Sequence, residues 1–451
     1  MMNLFKLTLL TALFLISKNV LAQDHDVHMN RDTHTAEADT MGHDMSMIQH
    51  GMMGNLPMTR AGSGTSWLPD ARPMYGYMFH SEEWMFMVHG NIYARYINSD
   101  IGNAGMRGDE KWGATNWVMG MAQTNLGNRG LLELSTMLSL EALTIGGAGY
   151  PLLFQTGETW EGEPLVDHQH PHDLFSELSV TYTQMFNEHT NAFLYLGYPG
   201  EPAFGPPAFM HRPAGLYSPN SGIGHHWQDA THIMFGVATA GFRHKDFMID
   251  GSFFNGTEPG ENRWGFDELN LNSWSLRLSY NPSDNWALQV SRAWIDNAHP
   301  TGPREDVNKT TASVIHSAQL APETFLNTSA VWGYNDIVRG HHPSSHSFLF
   351  ESGLTINTTT IFGRFEWVNK DGESLQLREA MYTPDEIHEL YGTSALALGI
   401  QQKLFKTLNT NVALGVQGRL GFTPDGLQPV YGETPVGFQA YLRIYPGKIL
   451  H

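Results

Sequence analysis

From about residue 84 to residue 445 the chain alternates apolar and polar positions with a period of two. Over residues 84–97 one face carries Trp84, Phe86, Val88, Ile92, Ala94 and Tyr96, and the other carries Met85, Met87, His89, Asn91, Tyr93 and Arg95. Later segments repeat this. Trp274, Leu276, Leu278 and Tyr280 oppose Ser275, Arg277 and Ser279, while Phe438, Ala440, Leu442 and Ile444 oppose Gln439, Tyr441, Arg443 and Tyr445. Val412, Leu414 and Val416 likewise oppose Asn411, Gln417 and Arg419. Successive side chains on a strand point to opposite faces, so this period predicts strands with one greasy and one wet side. That is what a strand between lipid and a water-filled lumen requires. The pattern predicts an all-β fold: a transmembrane antiparallel β-barrel of about 16 strands behind a disordered N-terminal Met/His-rich arm.

The predicted strands begin near residues 84, 114, 130, 174, 190, 230, 246, 270, 285, 309, 325, 345, 358, 394, 408 and 434. Their connections alternate in length. Short turns such as Asn281-Pro282-Ser283-Asp284 alternate with long loops at 99–113, 146–173, 200–229, 257–269, 298–308, 337–344, 371–393 and 421–433. In such barrels the short turns are periplasmic and the long loops external. An even strand number then puts both termini on the periplasmic side. The soluble alternative is an all-β protein with the same alternation, and the aromatic content and the alternating connection lengths favour the membrane barrel. The last predicted strand is followed by Pro446-Gly447-Lys448-Ile449-Leu450-His451, an extension beyond the terminal aromatic.

Ahead of the strands, residues 1–22 read as a secretory signal: Lys6, an apolar run, then Val20-Leu21-Ala22 as a small-residue cleavage site. Residues 23–73 are polar and read as a periplasmic arm, and residues 74–451 as the barrel. Composition narrows the chemistry. There is no Cys among the 451 residues, which removes disulfides, thiolate sites and cysteine nucleophiles. The formal charge is −19, with 45 acidic against 26 basic residues, which argues against nucleic acid and suits cations.

The arm holds the densest soft-donor run, Met41-Gly42-His43-Asp44-Met45-Ser46-Met47 followed by His50-Gly51-Met52-Met53. Thioether sulfur is soft and imidazole is borderline, so His43, Met45, Met47, His50, Met52 and Met53 suit a copper ion. The bland alternative is a solvated linker. The runs His43-Asp44-Met45-Ser46-Met47 and His50-Gly51-Met52-Met53, together with export and a barrel, resemble the copper-resistance protein B family of outer-membrane proteins. The long regular Asp-His-x-x-Met repeats of that family are missing here. The resemblance implies copper tolerance.

Further His clusters fall in the long loops. Asp167-His168-Gln169-His170-Pro171-His172-Asp173 places His168, His170 and His172 at alternate positions, with Asp167 and Asp173 as acceptors for ring N–H groups. The Gly/Pro-rich loop at 200–229 includes Met210-His211 and ends in His225-His226, and Gly340-His341-His342-Pro343 lies in another loop. Such a stiff loop either folds inward to narrow a pore or stays on the surface. By the alternation of connections these clusters share the external end. They are therefore expected to form a His-lined metal vestibule from His168, His170, His172, His225, His226, His341 and His342, against the alternative of separate surface loops.

The function expected is an outer-membrane barrel that binds or conducts metal ions, copper first, in envelope metal tolerance. Outer-membrane lipid, metal ions and periplasmic metal-handling proteins are the expected partners, without nucleic acid. The alternative is a small-solute porin with a His-rich constriction. A barrel enzyme ranks behind both, since no Gly-x-Ser-x-Gly elbow, His-Glu-x-x-His or phosphate loop occurs.

Overall fold

The computed structural model describes residues 54–298, 304–340 and 342–449. The signal, most of the arm with His43, Met45, Met47, His50, Met52 and Met53, and also His341, lie outside the described residues. Among the described residues nineteen strands run in chain order. They are β1 (Tyr77–His80), β2 (Trp84–Asn98), β3 (Glu110–Leu126), β4 (Gly130–Leu138), β5 (Tyr150–Trp160), β6 (Glu163–Gln169), β7 (Phe175–Asn187), β8 (Thr190–Gly197), β9 (Val237–His244) and β10 (Phe247–Phe254). There follow β11 (Ser273–Ser283), β12 (Trp286–Ile295), β13 (Asp306–Ala321), β14 (Thr324–Arg339), β15 (Ser345–Ile356), β16 (Thr359–Asp371), β17 (Leu390–Thr407), β18 (Thr410–Phe422) and β19 (Val436–Pro446).

Sixteen of these form a closed antiparallel barrel: β2, β3, β4 and β7 through β19, with β19 returning to pair with β2. Closure removes every free edge, so the backbone polar groups of the wall are paired without water. The alternation seen in the sequence is the in/out alternation of this wall. On β11, Leu276 and Leu278 are exposed outward while Ser275, Arg277 and Ser279 are buried inward. On β2, Met85, Met87, Asn91, Tyr93 and Arg95 are buried and Phe86 and Ile92 are exposed. The inward set includes Arg277, Arg364, Arg419 and Arg443, all buried. An outer surface of Leu, Phe, Val, Ile and Trp over a polar inner wall is the arrangement that crosses a bilayer.

The lumen is not open water. Three chain segments fold into it. Residues 54–73, expected in the arm, pack against the inner wall at the short-turn end, with Met58, Trp67 and Leu68 buried. Thr65 donates to Asp250 at 2.7 Å, and the backbone of Ala71 bonds to Asp284 in a short turn. These residues carry enough apolar side chain to bury and therefore do not behave as a linker. The connection 146–173 is a hairpin, β5 with β6, rather than a loop. Its Leu152, Leu153 and Phe154 join a cluster with Leu375, Tyr391 and Tyr431.

The third segment is the connection 198–236, nearly all of it buried. It crosses the whole barrel. Ala203 N–H donates to Ser252 on β10, Leu216 carbonyl accepts from Tyr93 on β2, Ser218 donates to Gln417 on β18, and Ile223 N–H donates to Glu366 on β16. It meets the N-terminal segment where Ala208 N–H donates to Ser63 at 2.8 Å. The inward reading of this Pro-rich loop holds. Strand β9 accordingly starts at Val237, not near residue 230. Ile233 and Phe235, which alternation alone would turn toward lipid, are buried, because they end the inward loop. The C-terminal extension also has a place: Lys448 bridges to Tyr75, and Ile449 packs on the N-terminal segment's Met74.

Leu278→Lys puts a charge on the lipid side of β11 near the centre of the strand. We expect a cost of about 2–4 kcal/mol, as for a midplane lysine in such a barrel. Unfolding by urea in detergent micelles, followed by the heat-dependent gel mobility of folded barrels, measures it.

Candidate functional site: an imidazole cluster in the lumen

Five imidazoles meet inside the barrel, three from the inward loop and two from the end of the hairpin. His225 and His226 sit on a single helical turn, His225–Gln228. Ring centroids are 5.2 Å apart for His225 and His226, 5.2 Å for His225 and His232, and 5.4 Å for His172 and His232. His170 lies 6.0 Å from His226 and 6.5 Å from His172. Phe209 flanks the group, 6.0 Å from His172 and 5.6 Å from His225.

Most rings are oriented through Nδ1 by an oxygen acceptor. His172 pairs with Glu141 at 2.7 Å, His225 with Asp229 at 2.6 Å, His226 with Glu258 at 3.2 Å, and His232 with the Asp229 carbonyl at 2.7 Å. His170 differs: Nδ1 faces the Pro171 carbonyl at 3.1 Å and Nε2 faces Glu158 at 2.8 Å. Holding Nδ1 fixes ring and tautomer and turns Nε2 to its other side. The Nε2 atoms of His172 and His232 are buried with no partner. Buried polar atoms are ordinarily satisfied, and these two nitrogens lie in neighbouring rings.

A buried ionic frame holds the cluster. Arg212 bridges Asp229 at 2.5 Å and Glu351 on β15 at 2.8 Å, and Arg364 pairs with the same Glu351 at 3.0 Å. Arg263 joins Asp173 at 3.2 Å and also pairs with Glu158. The sequence had offered Asp167 and Asp173 as acceptors for the rings. Neither does this: Asp167 accepts from the Phe154 amide, Arg107 and Tyr431, and Asp173 is taken by Arg263. Glu141, Glu158, Asp229 and Glu258 do it instead. They are distant in sequence from the rings they orient, except Asp229, so only folding reveals them.

Of the expected vestibule, His170, His172, His225 and His226 come together, but buried in the lumen rather than at a mouth. His168 is apart, with Nε2 on Asp109 and Nδ1 on the Val166 carbonyl, both at 3.2 Å. His342 is also apart; its Nδ1 lies 2.7 Å from Asp371, a hydrogen bond that pushes its pKa up to about 9. It is therefore charged at neutral pH and unfit as a ligand. His232, which follows the strand start expected near residue 230, belongs to the cluster instead of to a strand. The signal for it was the short spacing after Asp229.

Electrostatics separates the rings. Burial, then Arg263 and neighbouring imidazoles, holds His170 well below its ordinary pKa. Burial, then His225 and His172, does the same to His232. Burial lowers His226 against the opposing pull of Glu258. Burial also lowers His172, but Glu141 outweighs it and the net shift is upward. Burial opposes ionisation of Asp229, yet Arg212 and then His225 leave it well below the carboxylate range. Neutral rings with free lone pairs are metal donors. Among the described residues no three His, Asp or Glu side chains already close round one point as a finished metal cage.

No protein-family model and no curated protein matches the sequence. Solved structures similar in shape include OmpT, an outer membrane protein of Vibrio cholerae, with TM-score 0.44, 10% identity, and 82% of this chain and 99% of that one covered. Pseudomonas putida OprB gives 0.48 and 11% over 80% and 94% of the two chains, and an anion-selective porin from Comamonas acidovorans gives 0.45 and 10% over 80% and 100%. At this identity and overlap the likeness says nothing about cargo.

Two outcomes follow from this geometry. Arg212→Leu leaves Asp229 and Glu351 buried without their shared cation, and breaking such a pair costs about 3–5 kcal/mol. Limited proteolysis should then cut within residues 198–236 while the barrel stays assembled. The second outcome concerns pH. His170, His226 and His232 have folded pKa values below the unfolded value of about 6.5, so the unfolded loop takes up protons first. Their contribution to stability is full above that pH and is lost as the pH falls through and below it. His172 acts oppositely, losing its contribution as pH rises through its raised value, and the same holds for Asp173, which burial lifts to about 6. His211, also lowered by burial, joins the three rings, while Glu158 and Glu201, the latter lifted by burial to about 8, act with His172 and Asp173. We expect the rings to dominate, with Trp227 fluorescence reporting loosening of the loop between pH 7.5 and 5.

Proposed function

We propose that this protein is an outer-membrane barrel that binds and conducts metal ions, with copper as the first candidate. The observation that carries the reading is the buried imidazole cluster with the unpartnered Nε2 atoms of His172 and His232. Their Nδ1 atoms are held by Glu141 and the Asp229 carbonyl. Imidazoles oriented from behind by oxygen acceptors are the usual equipment of a metal ligand, and imidazole suits copper and zinc. A conduction path needs ions to leave as well as enter, so donors spread over several rings fit it better than a closed cage. Glu141 and Glu258 offset the charge of a divalent cation, while Asp229 and Glu158 already answer Arg212 and Arg263.

In this reading the Met/His arm, with His43, Met45, Met47, His50, Met52 and Met53, gathers ions at the periplasmic mouth. Periplasmic metal-handling proteins would exchange with it. The alternative is a small-solute porin with a His-rich constriction, which residues 54–73 and 198–236 would form.

Reconstitution tests it. Vesicles carrying the wild-type protein should admit copper(II) or zinc(II) to an enclosed metal-sensitive dye at pH 7.5, and the His172→Ala/His232→Ala variant should admit much less. Equal flux through both proteins would remove the cluster from any metal path. Vesicle swelling in small sugars without metal dependence would turn the reading to the porin.

A further inference from the structure

A second group of donors lines the lumen on the short-turn side of Phe209, and its chemistry differs from that of the imidazole cluster. The wall itself builds part of it. Met87 on β2 is the cross-strand partner of Met121 on β3, His89 is the partner of Met119, and Met119 is in turn the partner of Met137 on β4. Directly opposed side chains stand with Cβ atoms about 4.5–5.5 Å apart, close enough to act together. The inward loop adds Met210 and His211, and the N-terminal segment adds Met58 and Met74. The rings of His89 and His211 are 5.8 Å apart, with Trp117 packed against both at 5.3 and 4.8 Å. These groups line a cavity of about 60 Å³, against the ~10–15 Å³ that one water needs. The Nε2 atom of His89 is buried without a partner.

Methionine often only fills gaps. Two observations speak against that here. Every described strand methionine is turned inward or packed into an inner cluster, while the exposed apolar residues on the strands are Leu, Phe, Ile, Val, Trp and Tyr. A mere filler has no reason to avoid the lipid face. The cavity lining also contains no Asp or Glu and includes Arg72 and Arg443. Arg72 donates to the Thr59 and Ala61 carbonyls, and Arg443 to Asn91. Two guanidiniums and no carboxylate oppose a doubly charged ion, which thioethers bind poorly in any case. A soft, singly charged ion pays the smaller repulsion and gains the sulfur donors.

We propose that this chamber is a site for a univalent soft cation, Cu(I) or Ag(I), held by Met87, Met119, Met121 and Met210 with His89 and His211. The lumen thereby sorts ions by charge: divalent ions at the imidazole–carboxylate cluster, univalent ions at the thioethers. The inference rests on the metal reading of the lumen given above.

The test uses the full-length protein in detergent with Ag(I), which does not change oxidation state, and with Zn(II). Methionines 29, 41, 45, 47, 52 and 53 of the arm are first replaced by Leu, so that any remaining sulfur ligands come from the barrel. This protein should retain roughly one equivalent of Ag(I) after dialysis, with sulfur neighbours in X-ray absorption. Adding Met87→Leu, Met119→Leu and Met121→Leu should remove that equivalent and leave Zn(II) binding unchanged. The proposal is overturned if the arm-substituted protein holds no Ag(I), if its Ag(I) shows only nitrogen and oxygen neighbours, or if the triple substitution leaves Ag(I) content unaltered. The absorption spectrum decides the matter even if the triple variant fails to assemble. Zn(II) retained without Ag(I) defeats this inference alone, whereas loss of both ions defeats the metal reading as well.

Discussion

Arg212 holds the inside of this barrel together. Its guanidinium joins Asp229, in the inward loop, to Glu351, on the barrel wall, and both carboxylates are as buried as the arginine. Arg364 also pairs with Glu351 and His225 with Asp229, so losing Arg212 removes from each buried carboxylate one of two partners. Asp229 then fixes His225 through its side chain and His232 through its carbonyl. The two ion pairs of Arg212 thus tie this part of the loop to the wall, and the loop sets the positions of three of the five rings.

The wall and the filling obey different rules. Outside, the strands meet an apolar solvent that rewards Leu, Phe and Ile and offers no hydrogen bonds. Inside, the same strands present Ser, Thr, Asn, Gln and Arg, which need partners once water is displaced. The inward loop supplies them through its own backbone: the Gly205 amide to Ser291, the Ser221 carbonyl to Arg364, the His226 carbonyl to Lys309. A Pro/Gly-rich segment suits this role, because a chain without regular secondary structure leaves many of its amides and carbonyls free for the wall.

The filled lumen gives the buried histidines their character. In open water most would titrate near neutrality. Burial first, then Arg263 and neighbouring rings for His170 and neighbouring rings alone for His232, lets both keep their lone pairs. On the proposed reading this gives donors that are available at neutral pH and, among the described residues, not closed into a cage.

Much of the wall was legible in the sequence because a strand's in/out period is local. The inward Arg277, Arg364, Arg419 and Arg443, the outward Leu276 and Phe86, and strand starts at residues 84, 130, 190 and 345 all follow from neighbours one or two residues away. Alternation failed where the chain leaves the wall. Ile233 and Phe235 keep the strand pattern yet end a buried loop, and residues 54–73 read as linker although Met58, Trp67 and Leu68 are core. The His motifs were visible as composition, but not their destination. His170 and His172 turn inward while His168, in the same run, turns to Asp109, because β6 ends at Gln169 and the two later histidines have left the hairpin's pairing. The partners Glu141, Glu158 and Glu258, and the alignment of Met87 with Met121 and of His89 with Met119, depend on strand register and loop path. Sequence alone thus determined which residues line the barrel's two faces; only tertiary structure decided which of them meet, since register and the inward path of a loop are set by contacts between segments far apart in the chain.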